Sequence, residues 1–554
     1  LNLISNLACL TAGTLIAVLN PLQMMLTMYP GSYLWKLWQN PPLDVYISVY
    51  VFNITNLDRF MKGIDTKIKL DEVGPYVYQE FLENHDAVYN DNDTVTFRPV
   101  RRVEFVREKS IGDPKVDVVI VPNVPYMGVT TAASKVSLLA AIAVRTLMTT
   151  MQNNIVFNLT VHDYLWGYDD PLVKLASKLL PGVIHFDTFG LLDRMFDEGS
   201  NLVTMNLPPK KRQTPKNERH NQPTAEKQIL SDEEKNELGE VLEGIVYQES
   251  VIPKNINLWK PNVRDYSIDN WNGFTGLPYW GYEEGGNSDC NVLRGTYDGT
   301  LFPRNITKGE TFRVYRKSFC RTLPIEYSHP GDVDGIDAYF FKLADNAFDS
   351  DLNDPASSCF CTNNVCLKKG LGNITPCYYN IPAAISFPHF YNGDPSLLKN
   401  IEGLQPDEEK HGSTVVLQPQ LGIPMKVYTR FQLNLLMGEV KFNSEMRKFK
   451  NTVLPICWLE ISIDNLPYHL ILLLQILFNV APYVQSSLMW IFAIVGSSTF
   501  GLAGLLYFCF HRAPEEFMPK KNAKYSAIYL LPYIKREIIT RCKEEEESCL
   551  PNTS

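Results

Sequence analysis

The 554-residue chain has no surplus of positive charge: 52 Lys and Arg against 61 Asp and Glu leave a formal charge of −9. Bulk electrostatics of that sign repel nucleic acid rather than gather it. The sequence also lacks the residue sets of the common hydrolases. Neither a Gly-x-Ser-x-Gly elbow nor a His-Glu-x-x-His motif occurs, so no nucleophile or zinc-bound water is signalled. Two acidic runs fall short of a calcium loop. Asp349-Ser350-Asp351-Leu352-Asn353 begins like one, but Asp354 stands where glycine is needed and Phe360 where the closing glutamate belongs. Asp332-Val-Asp334-Gly335-Ile-Asp337 carries its glycine too early and is expected to be an acidic turn. The acid–histidine pairs His162-Asp163 and His185-Phe186-Asp187 are taken as surface or structural. The expectation is a protein that is not an enzyme and holds no cofactor or metal.

Two long uncharged apolar segments bracket the rest. They are Leu3 to Leu26 and Leu488 to Phe510, each long enough for a bilayer core of ~30 Å, which takes about 20 helical residues. Asn6, Asn20 and Pro21 interrupt the first and leave a cleavable signal peptide as its alternative. The chain opens at Leu1 without Met, and the expectation is that a short N-terminal tail precedes it. Leu470 to Val480 is apolar but too short to span, and Gln475 interrupts it; it is expected to be a helix lying near the membrane. His511, Arg512, Lys520, Lys521 and Lys524 put the end of the second span on the cytosolic side. Five sequons stand between the spans, at Asn53, Asn92, Asn158, Asn305 and Asn373. A sixth match, at Asn552, falls in the tail. The organisation expected is residues 1–27 as a first span, 28–487 as a glycosylated ectodomain, 488–510 as a second span and 511–554 as a cytosolic tail. In the tail, Tyr525-Ser-Ala-Ile528 fits a Tyr-x-x-apolar sorting signal, and Cys509 sits where a thiol can be palmitoylated.

Within the ectodomain, residues 43–55, 115–122 and 311–319 have strand character. Residues 427–435 alternate apolar with polar, as a strand with one wet face does. Residues 132–156 are helical in character, as is Ser231 to Val246, which opens with Ser and acids suited to a helix N-terminus. Residues 208–227 are dense in Pro and charge and are expected to form a disordered, solvated insertion; a protease-sensitive loop is the second reading.

The ectodomain cysteines are Cys290, Cys320, Cys359, Cys361, Cys366, Cys377 and Cys457. Zinc would more typically use Cys-x-x-Cys pairs, and an exported, oxidising compartment makes disulfides the default. On an extended segment Cys359 and Cys361 would face the same way and each would bridge to a different element. Cys366 is a short loop from Cys361, and Cys290 and Cys320 remain for Cys359 and Cys377, but spacing does not fix connectivity. Cys457 is left over, as a buried thiol or an intermolecular bridge.

The run of motifs then resembles one family. Phe52-Asn53-Ile-Thr-Asn56, Glu72-Val73-Gly74-Pro75-Tyr76-Val77-Tyr78, Leu165-Trp166-Gly167-Tyr168, Asp269-Asn270-Trp271-Asn272-Gly273, Ser386-Phe387-Pro388-His389-Phe390-Tyr391 and Val453-Leu454-Pro455 look like the class B scavenger receptors, and an insect-type member is the reading. The resemblance implies an α+β membrane protein: a strand-rich, barrel-like ectodomain with an apical helical bundle, anchored by two transmembrane helices. It implies the pairs Cys290–Cys359, Cys320–Cys377 and Cys361–Cys366. It further implies a tunnel that carries fatty acids, sterol esters or carotenoids toward the membrane, with lipoproteins or protein ligands received at the apex. That apex maps to about 132–166, with Lys135, Arg145 and Thr150 as candidate contacts. The fatty-acid translocase of the family has a lysine-rich apex; the stretch around Thr150 is uncharged, which favours a neutral lipid or a protein over a carboxylate. The alternative to lipid uptake is a recognition or trafficking receptor for a protein or microbial ligand, in the plasma membrane or an endolysosomal one.

Overall fold

In the computed structural model, the described residues are 28–136, 138–151, 153–196, 201–208, 263–282, 288–440 and 443–511. The first apolar segment, most of the 208–227 insertion, the Ser231–Val246 helix, and the tail with Tyr525 and Ile528 lie outside them. The chain divides into two compact units, Leu22–Ala481 and a smaller one holding the termini.

The larger unit is organised by one mixed, mainly antiparallel sheet. Its middle is β1 (Val45–Ile54), flanked on one side by β2 (Ile68–Tyr89) and β3 (Thr94–Phe105). Two separate strands, β4 (Val118–Pro122) and β5 (Val156–Thr160), pair only with each other. Beyond β3 come β6 (Val203–Asn206) and β7 (Ile268–Trp271). The other half, from the far edge inward, is β8 (Thr311–Arg316), β9 (Arg321–Val333), β10 (Ile336–Leu343), β14 (Thr414–Gln418), β15 (Ile423–Leu436) and β16 (Val453–Ile463), the last pairing β1. Short strands β11 (Gly372–Asn373), β12 (Ala383–Ser386) and β13 (Ile401–Glu402) attach to β12, β15 and β2 respectively. Among the described strands, β13 pairs with β2 in parallel and the other pairings are antiparallel. The β-branched run of β1 and the Val-Leu-Pro-Ile start of β16 suit a strand covered on both sides.

That cover changes the reading of β15. Its second half is buried on both faces, and the polar side of the alternation, Gln432 and Asn434, has 0% and 1% exposure. The side chains satisfy one another instead of water: Gln432 Nε2 donates to Asn434 Oδ1 at 2.7 Å, and Asn434 Nδ2 donates to Ser386 Oγ at 2.9 Å on β12. Alternation alone cannot separate a wet face from an internal amide ladder, because both need polar side chains at every second position.

The Asp332–Asp337 run is the tip of the β9–β10 hairpin, with Asp334 and Gly335 both at positive φ, as a tight two-residue turn requires. Asp349, Asp351 and Asn353 line an open cleft of 370 Å³ together with Lys369. Among the described residues no group of three or more His, Cys, Asp or Glu is placed to hold a metal.

The helical stretch expected at 132–156 starts earlier and is two helices. We label α1 (Tyr33–Gln39), α2 (Leu57–Met61), α3 (Val124–Val136), α4 (Leu138–Thr150), α5 (Val161–Trp166), α6 (Pro171–Leu179), α7 (Leu191–Phe196), α8 (Glu408–His411), α9 (Tyr468–Gln475) and α10 (Ala481–His511). A π-helical turn, Ile476–Val480, joins α9 to α10. Helical backbone therefore begins at Tyr468 and not at Leu488, and the stretch Tyr468–Leu505 is long and apolar enough to cross a bilayer. Leu470–Val480 is not a separate surface helix. Gln475 Nε2 and Asn479 Nδ2 donate to the carbonyls of Asp334 and Gly335, and Leu474 packs with Val333 and Ile336 at the hairpin tip. Cys509 lies on α10.

The disulfides are Cys290–Cys359, Cys320–Cys377 and Cys361–Cys366. The local geometry differs from an extended segment: Ser358–Phe360 is a 3-10 turn. Beneath it Arg321, 2% exposed, lies 3.8 Å over the Phe360 ring and donates to the Asp349 carbonyl. Burial, with Arg313 nearby, pulls its guanidinium down to about 9. Cys457 is a free thiol at 0% exposure in β16, pushed up to about 12 by burial, which excludes an intermolecular bridge through it in the folded protein.

The sequons separate by burial. Asn92, Asn158 and Asn305 are exposed and Asn53 is half-buried. Asn373 is 5% exposed, and its Nδ2, the atom a glycan would occupy, donates to Thr362 Oγ1 at 2.9 Å inside the Cys361–Cys366 clip. Peptide mapping after glycosidase treatment should find glycan at Asn92, Asn158 and Asn305 and none at Asn373.

Candidate functional site

The segment holding Arg145 and Thr150 is the α3–α4 pair, set on the β4–β5 ladder that registers Val118 with Thr160 and Pro122 with Val156. Its footing is a polar knot where β4 ends. Asn123 Nδ2 donates to Asn153 Oδ1 at 2.9 Å and to Asp170 Oδ2 at 3.0 Å, and Asn153 Nδ2 donates to the same carboxylate oxygen at 3.1 Å. The other oxygen of Asp170 accepts the backbone N–H groups of Leu172 and Val173, capping α6. Asn123 Oδ1 in turn accepts the Tyr126 N–H, and Tyr126 Oη accepts from Asn443 Nδ2 at 2.9 Å. A carboxylate with 0% exposure is tolerable here because hydrogen-bond donors surround both its oxygens.

On this footing α4 buries Met148 and turns its other side outward. Leu139 is 79% and Ile142 44% exposed, with Ala143, Arg145, Thr146, Thr149 and Thr150 also exposed. Arg145 is the one charged residue of α4. The threonines offer little to a polar ligand. Thr146, Thr149 and Thr150 donate their hydroxyls to the carbonyls of Ile142, Arg145 and Thr146, one turn back. The helix therefore presents methyl groups and aliphatic side chains around a single cation. Lys135 belongs to the other helix, α3, so the structure places Arg145 and Thr150 on one helix and Lys135 on its neighbour.

Of the acid–histidine pairs, neither is a dyad in the described contacts. Asp163 takes the first turn of α5, where Thr160 caps its N–H, and Asp187 accepts from Ser177 at 2.6 Å.

A histidine cluster among the described residues carries no local motif of its own. Two histidines, His389 and His411, stack with ring centroids 4.4 Å apart and 11° between planes, at 6% and 4% exposure. His389 Nε2 meets Glu72 Oε2 on β2 at 2.6 Å, and Trp458 Nε1 on β16 donates to the same oxygen at 2.7 Å. Tyr50 of β1 stacks on Trp458 at 3.8 Å, as their register pairing dictates. Burial opposes the charge of Glu72, but the His389 and Trp458 donors outweigh it and hold the carboxyl below its usual range. Burial, then the neighbouring His389, pushes the His411 imidazole down to about 4. The only sequence signal for this cluster is a histidine inside the apolar run Ser386–Tyr391, and nothing local links it to Glu72 or to His411.

Replacing the Asp170 carboxylate by Ala takes the acceptor from Asn153 Nδ2 and from the Leu172 and Val173 N–H groups, while Asn123 Nδ2 keeps Asn153 Oδ1 and the Asn154 carbonyl; at about 1 kcal/mol for each buried donor the loss is on the order of 3 kcal/mol. Asp170→Ala should therefore release α3 and α4 selectively: hydrogen exchange should quicken across residues 124–150 while β15 and β16 stay protected.

The sequence profile of the CD36 family matches residues 3–507. The chain is 28% identical over 434 residues to Scavenger receptor class B member 1 of Bos taurus, covering 78% of this chain and 73% of that one. It is 28% identical over 449 residues to Lysosome membrane protein 2 of Homo sapiens, covering 81% and 80%. The mouse Scavenger receptor class B member 1 is likewise 28% identical over 434 residues. With a match over nearly the whole chain and three disulfides bracing a strand-rich α+β fold, this protein belongs to the CD36 family, the class B scavenger receptors.

Proposed function

We propose that the protein is a scavenger-type receptor that receives hydrophobic ligands on the outward side of α4 and passes lipid through a barrel-like ectodomain to the membrane. The ligands are fatty acids, sterol esters, carotenoids or the lipoproteins that carry them. The observation that carries this reading is the surface of α4: aliphatic, internally hydrogen-bonded, and charged only at Arg145. Such a surface gains by shedding water against another apolar surface and offers a carboxylate little beyond one guanidinium. Transfer needs no covalent step, since each CH2 group leaving water contributes ~0.8 kcal/mol.

In this proposal two spans anchor a glycosylated ectodomain, most readily in the plasma membrane, with Cys509 as a palmitoylation site and Tyr525–Ile528 as a sorting signal toward endolysosomes. The second reading, a recognition or trafficking receptor for a protein or microbial surface, is favoured by Leu139. A side chain 79% exposed on a helix suits a flat partner as well as a lipid particle.

Purified protein in nanodiscs, offered labelled sterol ester, carotenoid or fatty acid, should show saturable uptake. Leu139→Glu with Ile142→Glu should cut it at least tenfold, while Arg145→Gln should change sterol-ester uptake less than twofold. Absence of saturable uptake of every lipid class, with protein binding retained, would replace the first reading by the second.

A further inference from the structure

The stacked histidines are more than core filler, because both accept hydrogen bonds from one exposed segment. The Gln405 N–H donates to His389 Nδ1 at 2.9 Å, and the Asp407 N–H donates to His411 Nδ1 at 3.0 Å. A ring nitrogen that accepts carries no proton, so both Nδ1 atoms are unprotonated, and His389 turns its Nε2 toward Glu72. The segment they hold is polar: Glu402, Gly403, Gln405, Pro406 and Asp407 through Lys410 are exposed. Its far end is held differently. Arg430 Nη1 donates to the carbonyls of Glu409 and Gly412, and Arg430 Nε pairs with Glu460. Its near end starts at Gly403, at φ +107°, where a Cβ would lie 1.9 Å from the Leu70 carbonyl oxygen; this glycine lets the chain lie flat on β2.

We propose that residues 403–408 form an acid-released latch: unprotonated Nδ1 atoms of His389 and His411 hold the Gln405 and Asp407 N–H groups, and protonation of His411 frees the segment to swing about the Arg430 anchor. A protonated Nδ1 is a donor, and two donors facing each other cannot share a bond. The contrast between the two ends sets the direction of movement, since guanidinium-to-carbonyl bonds do not titrate in this range. Facing the pair, Glu72 comes from β2, Asp407 from the segment itself, Arg430 from β15, and Glu460 from β16, paired with Arg430; Tyr50 of β1 is held neutral by burial, pushed up to about 12. Burial opposes the protonated His411 ring most, the His389 imidazole and Arg430 oppose it too, and Glu72 and Asp407 favour it. Opening lowers the Glu72–Trp458–Tyr50 floor's cover toward solvent, giving the receptor a second, acid-dependent state distinct from ligand docking at α4.

The sign follows from linkage. His411 is depressed in the closed state to about 4 and returns toward about 6.5 once exposed. Its contribution to closure is therefore complete above pH 6.5 and is lost as pH falls toward 4, by up to about tenfold in the opening constant per pH unit. Full-length protein in nanodiscs is compared at pH 7.4 and pH 4.5 by hydrogen exchange, with labelling times scaled for the intrinsic rate. Protection of the Gln405 and Asp407 amides should drop at least tenfold at pH 4.5, while Phe431 and Leu459 in the sheet stay protected. In His411→Asn the amide oxygen can take the place of Nδ1 without titrating, and Asp407 should keep equal protection at both pH values. Equal protection of the segment at the two pH values in the unaltered protein overturns the latch, as does acid release that persists in His411→Asn. Loss of protection across the whole sheet also overturns it. The unaltered protein's result decides by itself if the variant does not fold.

Discussion

The centre of the sheet leaves no room for water, and much of the architecture answers that constraint. From Leu454 to Leu459 β16 is buried without a break, and β15 is buried from Phe431 to Leu435. A polar side chain placed there must find its partner inside the protein or cost free energy comparable to a lost hydrogen bond. Gln432, Asn434 and Ser386 close a ladder of amides and a hydroxyl, and Gln432 Oε1 reaches on to the His389 N–H. Glu72, partly open to solvent on β2, is held below its usual range by Trp458 and His389, which both donate to it. Buried polarity thus ties β2, β12, β15, β16 and the 389–411 connection into one network, which apolar packing alone would leave free to slide.

Around this centre other parts of the fold are mounted by the same device on a smaller scale. The α3–α4 pair stands on Asn123, Asn153 and Asp170, and the hairpin tip at Asp334–Gly335 is fastened to the helix by the amides of Gln475 and Asn479. The disulfides brace a different wall, where regular pairing is scarce: Cys359 and Cys361 sit at a 3-10 turn over Arg321, and the short bridge to Cys366 fixes a loop of few backbone bonds. Rigid footing under a weakly polar helix is consistent with the proposed receptor, in which the ligand is recognised by shape and dehydration rather than by charge.

Much of this was legible along the chain, and what was legible was local. The strands at Val45–Ile54 and Val118–Pro122 follow from β-branched runs, and the acidic turn at Asp334–Gly335 from its residues. The pairing of Cys361 with Cys366 is close in sequence, whereas Cys290–Cys359 and Cys320–Cys377 join residues 69 and 57 apart and came from likeness to a family, not from spacing. The failures are equally specific. Alternation in β15 suggested a wet face because a polar residue at every second position looks the same whether it meets water or another amide. The apolar stretch at Leu470 looked separate from the span because Gln475 broke its hydropathy, although its amide serves a carbonyl of the hairpin.

By itself the sequence determined the family, the apolar segments, the scarcity of charge around Thr150 and the mixed α+β class, since each depends on residue order and local period. Only the tertiary structure decided which polar residues are internal. It assigned the Asn373 amide to Thr362, kept Cys457 as a buried thiol, and brought His389, His411, Glu72 and Trp458 together from three distant stretches of chain. The physical reason is that a buried polar group is defined by its partner, and partners more than 300 residues away, as Glu72 is from His389, leave no trace in local pattern.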